Sequence, residues 1–326
     1  MFNKEETAQL QELFKKFTQT VDFTLHQTEK NDFGRKLEKA VSEVCGPSEG
    51  KCVTISDTSG SDPVAVPCFK MGVDGFANIV YAALPTGHQF PPFLKILERI
   101  GCGGYRIPED GFLSNSSPAE LVVLISDSCP RCPLVVEAAG LTACADPSIE
   151  ASFVDIIQFQ DFVKKYRIQS VPATIMDKQI ILIGALSAER IKELAQSRGT
   201  PKFEMEIVRS LIERQNIKEA AGYLDREAGR TIVLGLLQNV EFSKRLSALV
   251  VLEKGLEDTP DAVRTLVPSL LPMLSHSDAR IRGDVADLLG KIGDPVAIPH
   301  LEPLVSDPDP DVSEAAADAI EELKNI

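Results

Sequence analysis

The sequence predicts two α/β units in tandem followed by an all-α solenoid, and three observations carry that prediction. An alternation of helical and strand-like patterns runs through about the first 115 residues and recurs over 116–198. Beyond residue 199 no convincing strand pattern is found, and two stretches there align with each other. Hydrophobic residues make up 44% and charged residues 25% of the 326, the balance of a globular protein with ordinary cores.

In the first unit, 1–115, "ETAQLQELFKKF" has apolar residues at helical spacing, and "VDFTLHQ" alternates like a half-buried strand. The helix "DFGRKLEKAVSEV" and the strand "KCVTISD" follow, then "VAVPCFKM" and "FANIVYAAL" as strands, a turn at "PTGHQF" and the helix "PFLKILERIG". "GCGGYRIPEDGFLSNSSP" reads as a connector, being rich in Gly, Pro and Ser. The second unit, 116–198, opens on a short helix at "SPAEL" and an apolar strand "LVVLIS" of the kind buried on both faces. After it come the helix "CPRCPLVVEAAGL", the strand "ASFVDII", the helix "FQDFVKKYRI", a hairpin of "VPATIMD" and "QIILIGAL", and the helix "SAERIKELAQS" with Ser187 as N-cap. In the third segment, 199–326, Leu271 and Leu274 recur as Leu301 and Leu304, and Ile281 recurs as Val312. Each copy is a helix ending in leucines, a Ser/Asp turn and a second helix, so neighbouring copies must bury each other.

The net charge of −14 repels phosphate backbones and anionic lipid, which argues against nucleic acid and membrane partners. No apolar run is long enough to span a bilayer, and the N-terminal segment lacks the apolar core of a secretory signal. A cytoplasmic chain is expected. Seven cysteines are too few for a disulfide scaffold, so a close pair points to catalysis or metal binding.

That pair is Cys129 and Cys132, between the "LVVLIS" strand and the helix that follows. The thiolate is the reactive form of cysteine, and free N–H groups at a helix N-terminus stabilise an anion. Cys129, the first and more exposed position, gains most, and Arg131 adds positive charge. Cys132, three residues on, is close enough to close a disulfide. On this reading Cys129 attacks a partner disulfide and Cys132 resolves the mixed disulfide. Zinc would need four ligands; His26, His88, His276 and His300 are all distant in sequence and no second Cys-x-x-Cys exists, so neither metal nor cofactor is expected. A pair of inert core thiols is the remaining alternative, disfavoured by Pro130 and the strand-to-helix setting.

Residues 116–198 resemble the thioredoxin/glutaredoxin superfamily, through the cysteine pair and "YRIQSVPATIM". The resemblance implies that Pro172 is cis and lies against Cys129, and that Val171 and Pro172 shape the substrate groove, Val171 offering its backbone to an extended substrate strand. Pro130 and Arg131 would flank the same groove. Together "CPRCPLVV" and "LPTGHQFPPFL" make about the first 198 residues resemble two families: archaeal protein disulfide oxidoreductases and the N-terminal domain of the F subunit of alkyl hydroperoxide reductase. There are departures. The first unit has "HQTEKNDF" where a cysteine pair would sit, although Pro67 keeps the proline position; Gln89 replaces the glutamate of the "GHEF" turn; Val123 stands where thioredoxins bury an aspartate; and no dinucleotide fingerprint follows. "DARIRGDVADLLGKIGDPVAIPHL" resembles HEAT-like repeats.

The expected function is therefore thiol–disulfide exchange. It implies a protein disulfide or peroxidase substrate, an upstream thiol or flavin reductase, and a protein partner on the helical repeats. A redox-sensing adaptor with a regulatory dithiol is the alternative. Among other residues, Cys45, Cys52, Cys68 and Cys102 read as buried or neutral thiols, with a Cys45–Cys52 bridge as the competing possibility. His88 is expected to serve its turn, or else to donate a proton near the dithiol. Arg280 and Arg282 are expected to face solvent or bridge neighbouring repeats.

Overall fold

The computed structural model describes residues 1–56, 65–107 and 118–325. Two compact units divide between Gln196 and Ser197. The expected boundary at 115/116 lies outside the described residues.

In the N-terminal unit, Asn3 starts the first helix with a capping box. Its side chain accepts the Glu6 N–H at 2.9 Å, and the Glu6 carboxylate accepts the Asn3 N–H at 2.8 Å. The elements in order are α1 (Lys4–Phe14), β1 (Val21–His26), α2 (Asp32–Cys45), β2 (Cys52–Ser56), β3 (Cys68–Val73), β4 (Phe76–Ala82) and α3 (Phe90–Arg99). The second series is β5 (Ala119–Ile125), α4 (Cys132–Ala145), β6 (Ile149–Asp155), α5 (Gln160–Tyr166), β7 (Ala173–Met176), β8 (Ile180–Ile183) and α6 (Ala188–Ser197). One expectation fails locally: Ala119–Leu121, read as part of a helix, open β5. Ala119 pairs with Ile149, and Leu121 pairs with Ala151 on one side and Met176 on the other. Two ladders outweigh a weak local helix preference. Ser187 does cap α6, accepting the Arg190 N–H at 3.2 Å.

All eight strands form one sheet in the order β2-β1-β3-β4-β6-β5-β7-β8. Within it β2-β1-β3-β4 and β6-β5-β7-β8 have the same pairing senses: a parallel pair, then two antiparallel steps. The halves meet where β4 pairs parallel with β6, from Ile79↔Ala151 to Ala82↔Val154. An aromatic row crosses that seam: Phe23 to Phe69 at 5.8 Å, Phe69 stacked on Tyr81 at 5.2 Å, and Tyr81 to Phe153 at 4.7 Å between ring centroids. A buried polar bridge accompanies it. Asn78 on β4 donates to the carbonyls of Ala143 at 2.9 Å and Ile149 at 2.8 Å, and Tyr105 donates to the Asn78 side-chain oxygen at 2.6 Å. Satisfied on every side, such a network is specific as well as stabilising. Gly140 on α4 faces Ile96 of α3 so closely that any Cβ there would collide with it, and α3 and α4 pack accordingly.

The C-terminal unit has no strand among its described residues. Its helices are α7 (Pro201–Glu213), α8 (Ile217–Ala221), α9 (Glu227–Leu237), α10 (Phe242–Asp258), α11 (Pro260–Arg264), α12 (Val267–Leu270), α13 (Ala279–Ile292), α14 (Ile298–Leu301) and α15 (Pro310–Lys324). Leu274, Leu301, Leu304, Ile281 and Val312 are buried as the internal alignment requires, whereas Leu271 is only half-buried. Asp278 and Asp309 cap α13 and α15 in the same way, each accepting the N–H two residues on, at 3.0 and 3.1 Å. Two arginines connect the copies. Arg245, almost wholly buried, donates to Asp284 at 2.7 Å and to the carbonyls of Asn239 and Val240. Arg282 donates to both carboxylate oxygens of Asp307, at 2.9 and 2.7 Å, and to the His276 carbonyl at 2.8 Å. Each therefore terminates its own repeat's turn while holding the next copy. Arg280 instead stays in solvent, paired with Asp278.

Candidate active site

The chain leaves the sheet at Ile125, turns through 126–131 and enters α4 at Cys132. Within that turn the Cys129 N–H donates to the Ser126 carbonyl at 3.1 Å, and the hydroxyls of Ser126 and Ser128 lie 3.1 Å apart. Cys129 and Cys132 are joined by a disulfide, with Cα atoms 5.5 Å apart. The helix begins at the second cysteine, so Cys129 sits ahead of the first turn. The Cys132 N–H points at the Cys129 Sγ at 3.1 Å. That sulfur occupies the place of a capping oxygen, where an otherwise unpaired helical N–H meets an acceptor. When the pair is reduced, the same N–H and the dipole of a 14-residue helix stabilise a thiolate there.

Accessibility separates the two cysteines. Cys129 keeps 8% of its surface and Cys132 none. Pro130 and Arg131 are exposed beside them. Val171 is half-buried, and its carbonyl oxygen lies 3.7 Å from the Cys129 Sγ. The Val171–Pro172 bond is cis, Pro172 is buried, and β7 starts one residue later. All six expected site residues thus fall around the β5–α4 turn and the approach to β7.

Acid groups near this turn were not singled out in the sequence. Asp155 ends β6 beside Ile125, is buried, and accepts the Ile157 N–H at 2.8 Å. Burial pushes its carboxyl above the usual range, and the charge of Asp127 pushes the same way. Asp127, two residues before Cys129, is raised as well by loss of solvent on its protein side, while the imidazole of exposed His88 pulls it down. Gln89 in the "GHQF" turn is fully buried, and neither side-chain polar atom has a hydrogen-bond partner among the described residues. The legible signal for Asp155 was an acid directly after the apolar pair Phe153 and Val154 at the end of its strand. Its burial depends on which strands flank β6, and that is not local information.

The first half holds an equivalent turn without sulfur. His26 pairs with Cys68, which follows the cis peptide Val66–Pro67; Leu124 pairs with Ala173, which follows the cis peptide Val171–Pro172. Counting on from His26 and from Leu124 sets Asn31 opposite Cys129, and Gly34 opposite Cys132. Asn31 accepts the Gly34 N–H through its side chain at 2.7 Å, the same hydrogen bond that Cys129 receives from Cys132. A Cβ on Gly34 would run into the carbonyl of Thr28. Among the described residues no group of three or more His, Cys, Asp or Glu is placed to hold a metal, and no helix is long and apolar enough to cross a membrane.

Residues 120–196 match the thioredoxin domain family. They form a thioredoxin domain. Residues 236–321 match the HEAT repeat family. The alkyl hydroperoxide reductase F subunit of Pseudomonas aeruginosa is 26% identical over 195 residues, covering 59% of this chain and 36% of that protein. The chain thus spans little more than a third of the length of that curated relative. Among solved structures, the corresponding F subunit of Enterococcus faecalis superposes with a TM-score of 0.51 at 22% identity, over 60% of this chain and 99% of that one. A protein disulfide oxidoreductase from Aeropyrum pernix superposes at 0.49 and 18% identity. The thioredoxin domain contains the whole cysteine turn, Asp155, Val171 and Pro172, and the sheet that carries it extends through the first half.

Proposed function

We propose that the chain is a thiol–disulfide oxidoreductase that exchanges electrons with protein disulfides through Cys129 and Cys132. The observation that carries this reading is the Cys132 N–H aimed at the sulfur of the more accessible cysteine, with the Val171 carbonyl beside it. In the reduced protein the Cys129 thiolate attacks one sulfur of a substrate disulfide. The other substrate sulfur leaves with the bond's electrons and takes up a proton. Cys132, deprotonated, then attacks the Cys129 sulfur and expels the second substrate thiol, so two electrons pass to the substrate and the Cys129–Cys132 disulfide remains. Val171 and Pro172 set the floor on which an extended substrate strand lies, and exposed Pro130 and Arg131 form its rim. An upstream thiol or flavin reductase restores the dithiol.

Three functional segments follow from this reading: a thioredoxin-like unit without a dithiol over 1–115, the active unit over 116–198, and helical repeats over 199–326 that recruit a protein partner. A peroxidase is the favoured substrate, because the similar F-subunit proteins are named for alkyl hydroperoxide reduction. Five cysteines remain thiols beside a single disulfide, which suits a reducing cytoplasmic setting. The test is insulin disulfide reduction driven by dithiothreitol, together with a Cys132→Ser variant as a trap. Catalysis lost in Cys129→Ser, and a mixed disulfide held on Cys129 in the trap, are expected. Reduction rates identical in parent and Cys129→Ser would sink the proposal.

A further inference from the structure

Two thiols outside the dithiol site are held together by the first half's own backbone. Cys45 is the last residue of α2 and Cys52 the first of β2. One buried hydroxyl, Ser48, ties both: it donates to the Cys45 carbonyl at 2.6 Å and accepts the Cys52 N–H at 3.1 Å. Ser48 thereby holds the backbones of the two cysteines one hydroxyl apart, and each thiol shifts the ionisation of the other. Both are free thiols in the structure.

We infer that Cys45 and Cys52 are a second redox pair, oxidised by small hydroperoxides to an intramolecular disulfide, with Cys45 the sulfur that reacts first. Cys45 is half-buried and Cys52 buried, so a small oxidant reaches the first but an extended peptide strand reaches neither. The chemistry divides in the same direction. Hydrogen bonds from Cys52 and Thr54 favour the Cys45 thiolate and lower its pKa, offsetting burial and the unfavourable carbonyl end of α2. The Cys52 thiol is pushed far up by its bond to Cys45 and by burial. Burial pushes Cys68 and Cys144 each up to about 12, and Cys102, though exposed, is raised as well.

The Cys45 thiolate attacks the outer oxygen of the hydroperoxide. The O–O bond breaks, the alcohol leaves with a proton, and Cys45 becomes a sulfenic acid. Cys52 then attacks that sulfur; the S–O bond breaks, and the departing hydroxide leaves as water with the Cys52 proton. Two thiols and one hydroperoxide give one disulfide, one alcohol and one water. Nothing in this sequence requires Cys129.

The experiment uses the full chain carrying Cys129→Ser and Cys132→Ser, reduced and then treated with hydrogen peroxide. Trypsin cuts after Lys39, Lys51 and Lys70, so the bond appears as peptide 40–51 linked to peptide 52–70, and fragmentation distinguishes Cys52 from Cys68. The expected result is that link, with a loss of two alkylatable thiols; Cys52→Ser takes up dimedone on Cys45, and Cys45→Ser takes up none on Cys52. The same digest of the unsubstituted chain is expected to show the link too. Peptides that stay apart while exposed Cys102 is oxidised, a link through Cys68, or dimedone on Cys52 would overturn the inference.

Discussion

The two halves of the sheet present the same turn twice and spend it differently. In one, the N–H at the start of α4 meets the Cys129 sulfur; in the other, the Gly34 N–H meets the Asn31 side chain. Both turns follow a strand that pairs with the residue just after a cis-proline peptide, and both lead from the second strand of an identical four-strand order. The fold therefore supplies an acceptor site at the helix start, and the residue placed there decides between capping and chemistry. The first half also closes the route back, since Gly34 abuts Thr28 with no room for a side chain. It covers the β6 edge as well and carries Tyr81 and Asn78 into the seam.

The largest effect that would sharpen this contrast is in catalysis. Cys129→Ser is expected to lower disulfide reductase turnover at least about a hundredfold while thermal unfolding changes little. Activity retained would erase the difference between the halves. Next comes the attempted graft. Asn31→Cys with Gly34→Cys, made in a Cys129→Ser background, is expected to restore no activity and to destabilise by roughly 1–3 kcal/mol, because the added Cβ forces the 28–30 turn to move. A stable, active graft would show that geometry does not separate the halves. Smaller still, Asn31→Ala removes only a cap. It should cost about 1 kcal/mol in denaturant unfolding and leave insulin reduction unchanged.

The smallest effect concerns the acid beside the active turn. Burial raises the folded-state pKa of Asp155 above its unfolded value, so ionising it costs the folded protein more than the unfolded chain. That cost is absent below the unfolded pKa and grows as pH rises through the folded one. Asp155→Asn should therefore melt above the parent at about pH 7 and together with it at about pH 3. Melting curves that separate only in acid would mean that the carboxylate is net stabilising where it sits.

Much of the architecture was legible in the chain itself. Period-2 alternation marked Val21, Phe23 and Leu25 as one buried face, Ser187 announced α6, and the spacing of Leu301, Leu304 and Val312 revealed the helical repeat. The cysteine pair stood out because its chemistry depends on three consecutive bonds and the helix that follows. The helix expected at 117–121 was wrong where Ala119–Leu121 pair with β6 and Leu121 pairs with β7 as well, since pairing partners more than 25 residues away outvote local preference.

What the sequence determined alone is whatever depends on near neighbours along the chain: helix and strand periods, caps, the repeat, and which turn carries sulfur. The tertiary structure decided the rest. It joined the two halves through β4 and β6, buried Asp155 and Gln89, put Asn31 where its counterpart is Cys129, divided the roles of Arg280 and Arg282, and tied Cys45 to Cys52 through Ser48. Those outcomes hang on strand order and on packing between distant segments, and desolvation and contact energies are properties of such neighbourhoods, not of residues in isolation.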